Sequence, residues 1–562
     1  MFHLRRITAL VTQLALIAAF TFTPVLAKSN GGRDKITAGE LKEWLTYIAS
    51  DEFEGRNTFS EGLGLAAGYI AGQLKAMGVK PGGPNGSYFQ RVAVVGVKSD
   101  NKSTVTVEVN GQSRIFKNKE GISFPANVGS KRSFTADQVE FVGYGLSLPD
   151  RSDYTGKNVK GKVAVYLGGA APNGVDRMQA FRAMFSRGRT ATDQEGAVAA
   201  IGPEMNFRMV AGGQEGAGRP NAMPEPDFTT VQRLDVPQAP TAMAKDEFLD
   251  FLFSGSDVKY TDLKKKADAK EALPSFALKN VRITFNIDAD YQVVRTQYTR
   301  NVIGIIEGTD AKLKDTYVAF GAHYDHVGYA EGEVVGGKRQ GARGRVTDGA
   351  VEDRIWNGAD DDGSGTVSIL AIAKAFAQGQ KPRRSLLFVW HAGEEKGLYG
   401  SRYFADYPTV AMDKLVAQIN IDMIGRNRDN KAEESNTVYP VGSDRISTEF
   451  HNLTFEANQT MPTPLKLDYS MNDPADTEQI YYRSDHYSYA AKGVPIIFLT
   501  TGLHPDYHAN TDSAEKISYE KMAHIAQYAY EIGLRTANLD HAPARDNRGP
   551  RVGRTVAGKL AM

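Results

Sequence analysis

Acids and histidines gather at a few points along this chain of 562 residues, each beside an apolar run. His323 and Asp325 follow TYVAFGA, and Asp360, Asp361 and Asp362 precede GSGTVSILAI. Glu394 and Glu395 follow SLLFVWHAG, Asp422 ends KLVAQINI, and His508 comes soon after VPIIFLTT. Taken singly, each has a plain structural reading. DDDGSG makes a good helix N-cap, and adjacent glutamates are usually a solvated loop. Taken together, they bring two histidines and several carboxylates to one place. So much acid left unpaired would be costly, and metal cations are the usual remedy. Imidazole and carboxylate without thiolate suit zinc, with manganese or cobalt as other occupants. Counting favours two ions, each four-coordinate with one histidine, one terminal carboxylate, a shared aspartate and a shared water. That leaves one glutamate of the Glu394–Glu395 pair free, as a general base for hydrolysis would be.

Convergence of this kind requires the apolar runs to be strands of one sheet. Helical segments lie between them, including GTVSILAIAKAFAQG, and KMAHIAQYAYEIGLR follows the last. Buried runs alternating with helices predict an α/β fold: a mostly parallel central sheet flanked by helices, with ligands bound outside the carboxyl ends of its strands. Residues 287–536 carry this pattern. Residues 35–91 give two helical patterns stopped by GVKPGG, and these form the N-terminal part of the same domain. From 92 to 286 the texture is β-rich. STVTVEVNGQSRIF alternates around the turn pair Asn110-Gly111, and KVAVYLGG and VRITFNI read as further strands, so a separate inserted module is expected.

The first 27 residues have Arg5 and Arg6, a long apolar middle and the ending Val25-Leu26-Ala27, the pattern of a cleaved secretory signal. The expected location is the periplasm or the medium, without stable membrane association. No cysteine occurs, which excludes disulfides, thiolate metal sites and thiol nucleophiles. Net charge is +1 with no basic stripe, so nucleic acid is not an expected partner. Residues 537–562, rich in Pro, Gly and Arg, read as a flexible tail.

GAHYDHVG, NGADDDGSGT, HAGEEKGLYGS, NIDMIG and DYHANTD, in this order, resemble the motif set of metallopeptidase family 28, over roughly 300–534. These are two-zinc aminopeptidases and related carboxypeptidases, glutaminyl cyclases and receptors. SDEFEGR, GYIAGQLKAMG and GSYFQ resemble the N-terminal part of bacterial members. VEFVGYGL, DYTGKNVKGKVAVYLGG and GAVAAIG resemble the protease-associated domain that many members carry as an insertion. The resemblance implies two zinc ions, with His323 and Asp422 on one, Glu395 and His508 on the other, and Asp361 as the bridge. It implies Glu394 as the base, Tyr507 as a donor to the developing oxyanion, and Asp325 as the group that fixes the His323 tautomer. The implied substrates are peptides with a free N-terminus. A carboxypeptidase, for which Arg483 could hold the substrate carboxylate, is the alternative, with a cyclase or receptor behind it. His326, His391, His486 and His504 are expected in supporting roles. The long Gly- and Arg-rich segment between His323 and Asp361 reads equally as a lid or as a surface excursion.

Overall fold

The computed structural model of the chain describes residues 32–546 and 558–560, apart from 149–150, 176, 205–227, 232–233, 474–475 and 477. The expected leader at 1–27 lies outside the described residues, as do 547–557 and 561–562 of the tail.

The four apolar runs form the strands Tyr317–His323, Ser385–His391, Leu415–Ile421 and Ile496–Thr500. They lie side by side and parallel, with the Tyr317 strand between the Ser385 and Leu415 strands and the Ile496 strand beyond. Every residue of Ser385–His391 and of Leu415–Ile421 is buried, as continuous apolar runs require when both faces of a sheet are covered. The strands that flank this centre pair antiparallel with it. Ala289–Ile306 pairs antiparallel with the Ser385 strand, and Thr437–Val441 antiparallel with the Ile496 strand, so the α/β sheet is mixed rather than parallel throughout. The reason is that the flanking strands do not enter through β–α crossovers; Ala289–Ile306 arrives directly from a second sheet.

One face of the central sheet is covered by Ala38–Ile48, Glu61–Ala76, Gly365–Ala377 and Tyr519–Asn538, which share its core. Ala38–Ile48 buries Leu41, Trp44, Leu45 and Ile48, the three-and-four spacing of one helix face. Burying each of these large apolar side chains contributes about 1.5–3 kcal/mol. The helix starts where the Thr37 hydroxyl accepts the Glu40 N–H. Tyr519–Asn538 lies close on the sheet at Gly533, where a Cβ would meet the Phe320 ring at 2.2 Å. On the other face, Phe404, Tyr487 and Tyr489 pack against Leu387, Val389 and Phe498.

The second sheet draws ten strands from residues between 104 and 287. Its hairpin Thr104–Val109/Gln112–Asn118 turns at Asn110 and Gly111, both at positive φ, the geometry that Asn-Gly favours. The texture change at residue 92, however, falls inside a strand. Phe89–Asn101 pairs along its whole length with Ala289–Ile306, as an antiparallel ribbon at the flank of the central sheet. Phe228–Val231 then adds to the far edge of this ribbon, so the interval 92–286 returns one strand to the first sheet. The described part of the tail also departs from expectation, because it is tied to the helix Thr448–Gln459. Asn452 accepts the Leu560 N–H at 2.7 Å and donates to the Leu560 carbonyl at 3.0 Å, pairing with its backbone as a neighbouring strand would.

Candidate metal centre

All the expected site residues meet at the carboxyl ends of the central strands. His323 Nε2 lies 3.2 Å from Asp361 Oδ1 and 3.7 Å from Asp422 Oδ2. His508 Nε2 lies 3.1 Å from Asp361 Oδ2 and 3.0 Å from Glu395 Oε2. Asp361 therefore faces two donor groups, one on each carboxylate oxygen. The combinations His323–Asp361–Asp422 and His326–Asp361–Glu395 each bring their ligand atoms within 4.8 Å of one another, close enough to hold a metal ion. Glu394 is adjacent but belongs to neither; its carboxylate makes no hydrogen bond or ion pair among the described residues.

The neighbouring glutamates are driven in opposite directions. Burial pushes the Glu394 carboxyl well above its ordinary value; the His323 charge opposes this and the Glu395 charge reinforces it. Burial and the Asp361 charge also push Glu395 up, but His326 and His508 hold it at about 2. Asp361 is likewise opposed by burial and held well below the ordinary carboxylate value by His323 and His508. Two carboxylates set apart by their surroundings are suited to different tasks, one to ionic binding and one to proton transfer.

The three consecutive aspartates divide their work. Asp360 accepts the Gly425 N–H at 2.6 Å and contacts His504 Nε2 at 3.1 Å. Asp362 accepts the N–H groups of His323, Gly365 and Met423, at 3.1, 2.9 and 3.2 Å, and so caps Gly365–Ala377 while tying it to two strand ends. The Asp361 carboxylate faces His323 and His508. Its own backbone is held from below, where Asp512 accepts the Asp360 and Asp361 N–H groups at 3.0 and 3.1 Å.

Asp325 acts differently from expectation. The His323 Nδ1 contact is the Asp325 backbone carbonyl, at 3.0 Å, while the nearer carboxylate oxygen is at 3.7 Å. That carboxylate accepts instead the N–H groups of Gly393 and Glu394, at 2.8 and 3.1 Å, and the Thr58 hydroxyl at 2.8 Å. It positions the loop that carries the two glutamates. Asp422 is fixed by a buried chain in which Gln418 donates to Asn420, Asn420 to Ser484, and Ser484 to Asp422 at 2.7 Å. Arg56, fully buried, donates to the carbonyls of Ile48, Tyr324, Asn357 and Gly358 and so joins the N-terminal helices to the site loops. Sequence reading missed Thr58, Arg56, Ser484 and Asp512. Only the motifs SDEFEGR and DYHANTD, which contain Arg56 and Asp512, pointed towards any of them.

His391, His486 and His504 have partners outside the two donor groups. His391 Nε2 contacts the Tyr489 hydroxyl at 2.8 Å, and its Nδ1 lies 3.4 Å from buried Asp485. His486 contacts the Tyr481 carbonyl at 2.7 Å. His326 instead points at Glu395. The long segment after it is neither a free excursion nor a detached flap. Arg345 donates its N–H to the His508 carbonyl at 2.8 Å and accepts the Asn510 N–H at 3.2 Å. Trp356 Nε1 donates to the Arg345 carbonyl at 2.9 Å, and Val327, Ala330, Val346 and Trp356 form a small core. This strap holds His508 at φ +53, a conformation that needs outside support in a non-glycine residue.

Beside the donors lies a cleft of about 410 Å³. Glu394 and Tyr507 line it with an apolar wall of Met423, Ile480, Phe498 and Leu503. The Tyr507 ring stacks on His508 at 4.0 Å, and its hydroxyl accepts from Arg483 at 3.1 Å, leaving the phenolic proton to donate. Arg483 is also paired with Glu478 at 2.7 Å.

Residues 301–532 match the family model Peptidase family M28. A probable leucine aminopeptidase of Arthroderma benhamiae is 29% identical over 249 residues, which are 42% of this chain and 58% of that protein. Another of Arthroderma otae is 30% identical over 195 residues, 32% of this chain and 49% of its own length. The chain thus spans about half the length of the curated relatives it matches. Among solved structures, an aminopeptidase from Aneurinibacillus sp. strain AM-1 aligns with 92% of this chain and 98% of its own, at 18% identity and a TM-score of 0.42.

Proposed function

We propose, from the match of residues 301–532 to the peptidase family M28 model, that this chain is an exported two-zinc aminopeptidase with Glu394 as its general base. The observation that carries the reading is the sharing of Asp361 between two donor groups while the Glu394 carboxylate, facing the same cleft, is in neither. The donor set fits zinc: nitrogen and carboxylate oxygen only, crowded at about 3 Å, with buried polar atoms of His326 and Glu395 that find no hydrogen-bond partner. His323, Asp361 and Asp422 would hold one ion; His508, Glu395 and Asp361 would hold the other. Bound there, zinc supplies an acidified water and polarisation of the scissile carbonyl.

The chain's own groups do the rest. Glu394 takes the proton of the attacking water at its carboxylate and returns it to the leaving amine. Burial disfavours its charged form and so raises its affinity for that proton above an ordinary glutamate's. The Tyr507 hydroxyl, held by Arg483, donates to the oxygen that gains charge in the tetrahedral species. The acid cluster faces the free amino group of the substrate, and the apolar wall of the cleft takes the first side chain. Arg483 is a poor candidate for a substrate carboxylate because Glu478 and Tyr507 already occupy it.

The test uses one tripeptide in free, N-acetylated and C-amidated forms, with products followed by mass spectrometry with and without chelator. Loss of the first residue from the free and amidated forms, stopped by acetylation and by chelation, is the expected result. Release of the last residue, surviving acetylation, would make the protein a carboxypeptidase.

A further inference from the structure

The proposed ligand set has no use for His326, yet this side chain is built into the acid cluster. It is 1% exposed. Its Nδ1 lies 3.0 Å from Glu395 Oε1 and 3.8 Å from Asp361 Oδ2. Among the described residues, neither ring nitrogen has a hydrogen-bond partner, and neither has Glu395 Oε1. Two buried polar atoms therefore face each other at hydrogen-bond distance without being aligned as donor and acceptor. Left so, both lose solvation without the aligned hydrogen bond that would offset it. A shared third partner gives the same separation a purpose. Two atoms about 2.1 Å from one zinc ion, at an angle of roughly 90–110°, lie roughly 3.0–3.4 Å apart. Three other nitrogen–carboxylate pairs of the cluster sit in that range, at 3.2 Å for His323–Asp361, 3.1 Å for His508–Asp361 and 3.0 Å for His508–Glu395, while His323–Asp422 is wider at 3.7 Å.

The backbone fixes the His326 ring where it is. The His326 N–H donates to the Arg56 carbonyl at 3.1 Å. At Gly358, φ +57, a Cβ would lie 2.5 Å from the ring, so glycine is needed for the ring to fit. We infer that His326, through Nδ1, is a further ligand of the ion held by Asp361, Glu395 and His508. This rests on the two-ion reading above and makes the two ions unequal. Four protein groups surround the ion on the Glu395 side, and three surround the one on the His323 side. The Glu395-side ion is then the more tightly held, and the His323-side ion keeps more positions open for substrate.

The experiment strips the full-length mature protein of metal and titrates zinc back against a competing chromophoric chelator. Wild type, H326A, H326Q, H508A and H326A/H508A are compared, with far-UV circular dichroism and thermal melts as a folding control. The expected result is two ions in the wild type and, in H326A and H326Q, one site lost or weakened beyond the about 10- to 100-fold that a supporting group costs, with the other unchanged. H508A should retain a weak second ion that H326A/H508A loses. Wild-type affinity at both sites in H326Q would overturn the inference, whatever happens to the fold of H326A. Fewer than two ions bound by the wild type would overturn the two-ion reading itself, a separate outcome from an idle His326.

Discussion

In the second sheet, Val139–Val142, Val163–Val165, Ala199–Pro203 and Thr241–Ala244 run parallel, and segments at the carboxyl ends of the last three border a cleft of about 980 Å³. The central sheet repeats this layout with the strands that carry His323, Glu394 and Glu395, Asp422 and His508. Both crevices are acidic, but the acids are handled in opposite ways. In the second sheet, Asp246 accepts the Tyr260 hydroxyl at 2.7 Å and pairs with Lys264 at 3.2 Å, at a side chain 68% exposed. In the central sheet, buried carboxylates press on histidines that cannot neutralise them all. Parallel topology supplies a crevice in each case; burial and crowding of donors set the central one apart.

The sharpest way to break this contrast is at the shared group. Asp361→Ala removes a ligand from both donor sets, and the expected outcome is loss of both ions by elemental analysis, with activity at background. Retention of one tightly bound ion would show that Asp361 does not bridge. Next in size is Tyr507→Phe, which keeps the ring on His508 but removes the proposed oxyanion donor. We expect kcat to fall by about 10²–10³ with metal content unchanged. Asp325→Asn loosens the Gly393–Glu394 loop without touching a proposed ligand. A loss of about 10- to 100-fold in kcat/KM, at full metal content, is the expected effect of such a supporting group. At the small end, Asp246→Ala in the other crevice should leave turnover as it is and change stability by at most about 0.5 kcal/mol in denaturant unfolding. A large loss of activity there would make the second crevice part of the catalytic machinery and erase the distinction.

The strand-end motifs were legible because each is local: an apolar run followed by acids or histidines within a few residues. The members of DDDGSG face different ways. Asp362 is the helix cap and Asp361 faces the histidines. What the sequence could not disclose is support that crosses the chain. Thr58 reaches Asp325 from 267 positions away, and Arg56 reaches Tyr324 from 268, with no periodicity to mark either. His326 was placed among supporting residues because one more histidine in GAHYDHVG has no local signature of ligation; its direction depends on Gly358 in a distant loop. The edge at residue 92 was misplaced for a similar reason. Phe89–Asn101 is one uninterrupted strand, and its texture does not mark where the central sheet gives way to the second.

The division of labour between Glu394 and Glu395 is the centre of the account, and one paired measurement addresses it. Metal content and turnover are determined side by side for Glu394→Gln and Glu395→Gln. The account predicts that Glu394→Gln keeps both ions while its rate falls by about 10²–10⁴, and that Glu395→Gln loses an ion along with activity. Equal loss of metal in the two variants, or full metal in both, would contradict it.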